Sequence, residues 1–236
     1  MTKQPTFLDR VIATFTKGVD DKAYSDERWP GTVRAAKAAA SLLEARPPAR
    51  VLDLACGAGS VTAALALDGF DVTGIDCTPA SLEIAARMSR QKGASVHWLC
   101  KDMRVIDYRE DFDYVCLRDV IFGVFETAEE DRDLIRRIAR ALKAGGRCLL
   151  EVYNKEFALQ HGVERTLFYD ESVDRFVAEA SKSLLTGMKL YSREEWESML
   201  GAHGLRITKR DGWNYQRDPN PPPWRADLIV AQKEPG

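Results

Sequence analysis

Two glycines and two carboxylates stand at spacings that suit the binding of a small ligand. Gly57 and Gly59 lie in the run Cys56-Gly57-Ala58-Gly59, directly after the apolar stretch Val51-Leu52-Asp53-Leu54-Ala55. A glycine turn between a strand and a helix brings backbone amides close to a ligand at the helix amino terminus, and glycine serves wherever a Cβ would collide. Asp53 precedes the first glycine, and Asp76 closes the next apolar run, Val72-Thr73-Gly74-Ile75. A carboxylate at the second position can accept hydrogen bonds from both ribose hydroxyls. The same carboxylates would repel a pyrophosphate, so a ligand with a ribose and a positive group is the better match.

The elements that position these residues follow from the hydrophobic pattern. Residues 32–45 are rich in Ala and Leu and read as a helix that Pro47-Pro48 stops. Strand, glycine turn and helix then occupy 50–54, 56–59 and 60–67, and the rhythm repeats with a strand at 71–75 and a helix at 79–91. Strands at 95–99, 113–117 and 147–153 follow. Thr127 and Glu130 form a capping-box pattern for an amphipathic helix reaching residue 143, before Gly145-Gly146. After Tyr153 the alternation fails for roughly 38 residues, a span long enough to expect a functional segment. Ser192 and Glu195 then cap another helix, and strands at 205–213 and 226–232 close the chain around the loop 214–225. Alternating strands and helices predict an α/β fold: a doubly wound, mostly parallel seven-stranded sheet with helices on both faces.

Composition narrows the function. The 236 residues carry 34 Lys and Arg against 36 Asp and Glu, a net charge of −2. Phosphate backbones call for a basic stripe, so a nucleic-acid partner is not expected. No apolar run approaches the roughly 18 residues of a membrane-spanning helix, and the amino terminus does not read as a signal peptide, so neither a membrane partner nor export is expected and the expected location is cytoplasmic. Five cysteines form no Cys-x-x-Cys pair and three histidines have no ligand spacing, so no metal is expected. The cysteines read mostly as small buried hydrophobes.

From residue 45 to 155 the chain resembles the class I S-adenosylmethionine-dependent methyltransferases, in their small-molecule branch. Val51 to Gly59 is similar to the family's first motif, Gly74-Ile75-Asp76 to its second, Cys100-Lys101-Asp102-Met103 to its adenine-binding turn, and Ala141 to Arg147 to the turn before strand five. The likeness implies a Rossmann-like methyltransferase fold, the cofactor S-adenosyl-L-methionine and the product S-adenosyl-L-homocysteine. It also implies roles: Asp53 and Ala55 near the methionyl end, Gly57 and Gly59 under the cofactor, Asp76 on the ribose, Cys77 against the adenine, Asp102 on its amino group, the Met103 amide at the ring nitrogen, and the backbone of Leu117 and Arg118 facing the methionyl group. Beside each role stands a plainer one: Asp53 capping the glycine turn, Asp102 as a turn acid, Cys77 as packing.

A sulfonium already activates its methyl, so alignment and desolvation are the main demands and no catalytic triad is needed. A base would help an acceptor that must lose a proton. Asp119 after strand four, Tyr153 at the end of strand five and His161 in the long segment are the candidates; an ion pair with Arg118, core closure and an idle loop histidine are the respective alternatives. Residues 1–31 would form an arm over the cofactor through Tyr24, and 154–191 an inserted lid after strand five, within one domain of residues 1–236. Trp29, Arg165, Phe168 and Tyr169 would meet a small, aromatic or natural-product-like acceptor, methylated on O, N or C, in a monomer or homodimer. Two other readings are an NAD-type Rossmann oxidoreductase, against which Thr62 stands where a third glycine belongs, and a non-catalytic protein that binds S-adenosylmethionine.

Overall fold

The structure, a computed structural model, describes residues 12, 13, 16, 19–119, 121–161, 167–170, 174–178, 187–213 and 226–235, with the side chains at 161, 167–169, 176–178 and 213 left outside. Nine strands and six α-helices occupy the described residues. The strands are β1 Arg50–Leu54, β2 Asp71–Asp76, β3 His97–Cys100, β4 Phe112–Leu117, β5 Leu142–Tyr153, β6 Leu167–Asp170, β7 Arg175–Ala178, β8 Leu205–Trp213 and β9 Ala226–Lys233. The helices are α1 Trp29–Leu43, α2 Ser60–Leu67, α3 Pro79–Lys92, α4 Ala128–Ala141, α5 Lys155–His161 and α6 Arg193–Gly201.

Seven strands form one sheet in the order β3-β2-β1-β4-β5-β9-β8. The pairs among β1 to β5 are parallel and β9 runs antiparallel between β5 and β8, which gives the expected mostly parallel sheet. The order reverses between β1 and β4, and in such sheets ligands bind past the carboxyl ends of the strands at that reversal.

Strand residues alternate between two apolar cores. Leu52, Leu54, Val115, Leu117 and Leu150 face one side with Leu134, Ile135 and Ile138 of α4 and Trp196 and Leu200 of α6. Val51, Val72, Cys116 and Leu149 face the other with Ala36 and Leu43 of α1 and Ala64 and Leu65 of α2. Burying each large aliphatic side chain contributes about 1.5–3 kcal/mol, which makes the sheet a rigid base for the loops at its edge. Cys116 and Cys148 are buried as expected, Cys56 and Cys77 are half-buried, and Cys100 is exposed on the edge strand.

Both capping boxes form, Thr127 with Glu130 and Ser192 with Glu195. Helix α1 starts earlier than the pattern predicts, because Pro30 sits in the first turn where its missing N–H costs nothing. Helix α4 ends two residues early because Leu142 leaves it to pair with Phe112. The stretch after Tyr153 is more regular than expected: it holds α5 and an antiparallel hairpin, β6 with β7, that forms its own two-stranded sheet. Phe, Tyr and Val within those short strands favour that pairing.

Candidate active site

The turn after β1 is wound tightly. Ala55, Gly57 and Gly59 all adopt positive φ, at 53°, 55° and 70°. Cys56 N donates to Ile75 O at 3.0 Å, and Gly57 N donates to Asp76 Oδ2 at 2.8 Å, which ties the turn to the end of β2. The two glycines are bare for different reasons. No atom lies within 4 Å of the place a Cβ on Gly57 would take, whereas on Gly59 that place is filled by the indole of Trp98 from β3. Outside the turn, the buried Tyr24 donates its hydroxyl to Ala58 O at 2.9 Å.

Behind the turn, Asp53 is buried on β1 and accepts a hydrogen bond from Thr62 Oγ1 of α2 at 2.6 Å. Burial pushes its carboxyl up to about 6, against the opposing pull of Thr62 and of the Arg118 guanidinium. Arg118 and Asp119 follow β4. Arg118 Nε lies 3.9 Å from Glu151 Oε2 of β5, and Asp119 N donates to the same oxygen at 3.2 Å.

These elements open a cleft enclosing about 900 Å³, part of it open to solvent. Its lining brings together Gly57, Asp76, Cys77, Asp102 and Met103 with Arg118, Asp119, Ile121, Val124 and Phe125. Asp76 is fixed in place, its Oδ1 accepting Thr78 N at 2.8 Å in addition to the Gly57 bond. Burial raises the Cys77 thiol, with the neighbouring Asp76 adding to the effect. Asp102 caps the short 3₁₀ turn Met103–Val105 by accepting Arg104 N at 2.8 Å, and it pairs with the Arg104 guanidinium, which also reaches Glu130 at 2.8 Å. The same guanidinium lies 5.3 Å from the centre of the Phe125 ring. Asp102 is therefore a turn acid and a lining residue at once.

Of the residues singled out in the sequence, Ala55, Gly57, Asp76, Cys77, Asp102, Met103, Arg118 and Asp119 meet in this cleft. Asp53 and Gly59 stand outside its lining, and the Leu117 side chain is in the core. Trp29 is not brought to the cleft: it stacks on Tyr24 with ring centres 5.4 Å apart and lies under Lys92. The Tyr153 side chain packs against the main core. Arg165 and the side chains of His161, Phe168 and Tyr169 lie outside the described residues. Four participants were not anticipated: Trp98, Arg104, Glu151, and Thr62, noted only as a missing glycine. No group of three metal-ligating side chains exists among the described residues, and no helix there is long and apolar enough to cross a membrane.

Residues 51–146 match a family described as a methyltransferase domain. The chain is 27% identical over 206 residues to a cypemycin N-terminal methyltransferase from Streptomyces sp, covering 78% of this chain and 83% of that one. It is 26% identical over 108 residues to a ubiquinone biosynthesis O-methyltransferase from Coxiella burnetii, where the match spans 45% of this chain and 44% of that relative. Among solved structures, the 1,6-didemethyltoxoflavin-N1-methyltransferase of Burkholderia thailandensis, crystallised with 1,6-didemethyltoxoflavin and S-adenosylhomocysteine, superposes with a TM-score of 0.65 at 17% identity, covering 97% of this chain and 88% of that one. That last likeness is one of fold.

Proposed function

We propose, for a chain that is a class I S-adenosylmethionine-dependent methyltransferase, that the acceptor is a small molecule methylated on oxygen, nitrogen or carbon at the Arg118–Asp119 end of the cleft. The observation that carries this reading is the cleft itself, whose lining joins Gly57, Asp76 and Asp102 with Arg118, Asp119 and Ile121.

The residues present fit the cofactor. Gly57 leaves open the volume that a side chain would take. Each oxygen of Asp76 accepts one backbone N–H, and a carboxylate oxygen retains a second lone pair for a ribose hydroxyl. Asp102 keeps acceptor capacity for an adenine amino group, with the Met103 amide beside it and Cys77 along the ring. Asp53 supplies negative charge behind the methionyl end. When bound, S-adenosylmethionine supplies a methyl on a cationic sulfur, open to in-line displacement.

Asp119 is the group we assign to the acceptor. Its carboxylate lines the cleft, with the Arg118 guanidinium as its charged neighbour. There it accepts the hydrogen of an acceptor N–H or O–H, orients the lone pair and takes the proton as the new bond forms. Ile121, Val124 and Phe125 exclude water from that end. Residues 154–191 act as a lid in this reading, with His161, Arg165, Phe168 and Tyr169 available to the acceptor, and Tyr24 belongs to the arm that steadies the glycine turn.

Calorimetry with S-adenosylmethionine and S-adenosylhomocysteine is the first test. Binding is expected in the micromolar range and should weaken about tenfold or more in Asp76→Ala, since buried charge-assisted hydrogen bonds are lost; no binding by either protein discards the reading. A mass-spectrometric screen of phenols, amines and heterocycles, read as the gain of one CH₂, then identifies the acceptor.

A further inference from the structure

We infer that Glu151 is a positioning residue that holds Asp119 in the backbone conformation its place in the cleft requires; the inference rests on the reading of Asp119 as the group that meets the acceptor. Asp119 has φ +61°, in the left-handed region that residues with a Cβ rarely occupy. Such a conformation persists only when surrounding structure holds it, and it collects at functional sites. The observed hold is the hydrogen bond from Asp119 N to Glu151 Oε2 at 3.2 Å.

Glu151 stands where an apolar residue would be expected. It is 3% exposed, on a central strand between Leu150 and Val152, which are both apolar and buried. A buried carboxylate is costly unless it is paired or hydrogen-bonded. Glu151 shares the Arg118 guanidinium, 3.9 Å away, with Asp53 and Asp119. What Glu151 adds is an acceptor on β5 aimed across the sheet edge at a backbone N–H of the loop after β4. It anchors that loop to the neighbouring strand, next to the residues that line the transfer end of the cleft.

The test compares Glu151→Leu, which removes charge and acceptor, with Glu151→Gln, which keeps a side-chain oxygen. Three quantities are read: amide hydrogen exchange at Asp119, binding of S-adenosylhomocysteine by calorimetry, and turnover against pH with the acceptor found in the mass screen. Glu151→Leu should speed exchange at the Asp119 amide and lower kcat, each by about tenfold or more, with cofactor affinity within about threefold of the parent, because misplacing a reacting group costs rate before binding. Glu151→Gln should stay close to the parent in both. Unchanged exchange in Glu151→Leu overturns the inference, and so does equal loss of kcat in the two variants, which would assign the effect to charge. Where Glu151→Leu alone does not fold, adding Asp119→Gly should restore folding, as glycine takes a positive φ without strain; no restoration also overturns it. Failure of the parent to bind S-adenosylhomocysteine would sink the methyltransferase reading instead, and is seen separately.

Discussion

Thr62 Oγ1 donates to Asp53 Oδ2 across 2.6 Å, joining the first turn of α2 to the strand that carries the glycine turn. Both side chains are buried, Thr62 completely. The bond favours the ionised carboxylate while burial opposes it, and burial wins, so Asp53 titrates near 6. In the proposed reading this acid lies behind the methionyl end of the cofactor, and it titrates within about a unit of neutrality.

That poise sets a pH dependence for the cofactor. A cationic ligand prefers the ionised acid, so the affinity for S-adenosylmethionine should rise as pH increases through about 6 and level off above it. Removing the hydroxyl in Thr62→Val should move that rise to higher pH, and should lower stability by about 1–3 kcal/mol through the acceptor left without its donor. Thr62→Ser should keep the parent profile. Calorimetric titrations at several pH values check both; an identical profile in the valine variant would show that Thr62 does not act on Asp53.

The two glycines of the turn should fail differently when given a methyl group. Gly57→Ala meets open space, so it should cost only the strain of a positive φ, about 1–2 kcal/mol, while obstructing the cofactor. Gly59→Ala places its methyl inside the Trp98 ring and should destabilise the fold severely, before any question of binding arises. Thermal melts beside S-adenosylhomocysteine titrations separate the cases: a stable Gly57→Ala with weakened binding, and a melted or strongly destabilised Gly59→Ala.

The contrast also shows where a reading from sequence stops. Strand, glycine turn and helix are local patterns, and periodicity with the two capping boxes was enough to place most elements of the sheet. Asp76, Asp102 and Asp119 were legible because Asp76 closes a strand that periodicity locates and the other two stand two residues past the end of one. The Gly59 contact with Trp98 joins residues 39 positions apart through the order β3-β2-β1, which no local window contains. Glu151 was hidden in an apolar strand, and its meaning depends on which strand lies beside it. Trp29 drew attention as an aromatic near the arm, but aromatic type alone does not distinguish a residue that meets a ligand from one that stacks on Tyr24.

Gly123 and Lys189 fasten the segment after the hairpin to the wall of the cleft. Lys189 N donates to Gly123 O at 2.8 Å, and a Cβ on Gly123, at φ +90°, would overlap the Lys189 carbonyl. Arg175 of β7 adds bonds to the carbonyls of Phe125, Glu126 and Gly187. Gly123→Ala should therefore separate this segment from the loop that carries Ile121, Val124 and Phe125. Hydrogen exchange should increase in residues 121–127 and 187–192 together, with β1 and β2 unaffected. Exchange confined to one of the two segments would refute the coupling.

Asp131 offers a pH prediction away from the cofactor. It is completely buried in α4, accepts the Tyr191 hydroxyl at 2.6 Å, and leaves Oδ1 without a hydrogen-bond partner. Burial raises its carboxyl to about 6. A carboxyl with a raised native value holds a proton between about pH 4 and 6 that the unfolded chain has released, so native stability attributable to it declines as pH rises across that window and is constant above it. The size of the effect is on the order of 2 kcal/mol. Asp131→Asn cannot titrate and retains an oxygen for Tyr191. Its melting temperature should fall below that of the parent near pH 4 or match it, and gain on the parent steadily up to about pH 6. Parallel curves for the two proteins over that range would show that Asp131 keeps its charge in the folded state despite its burial.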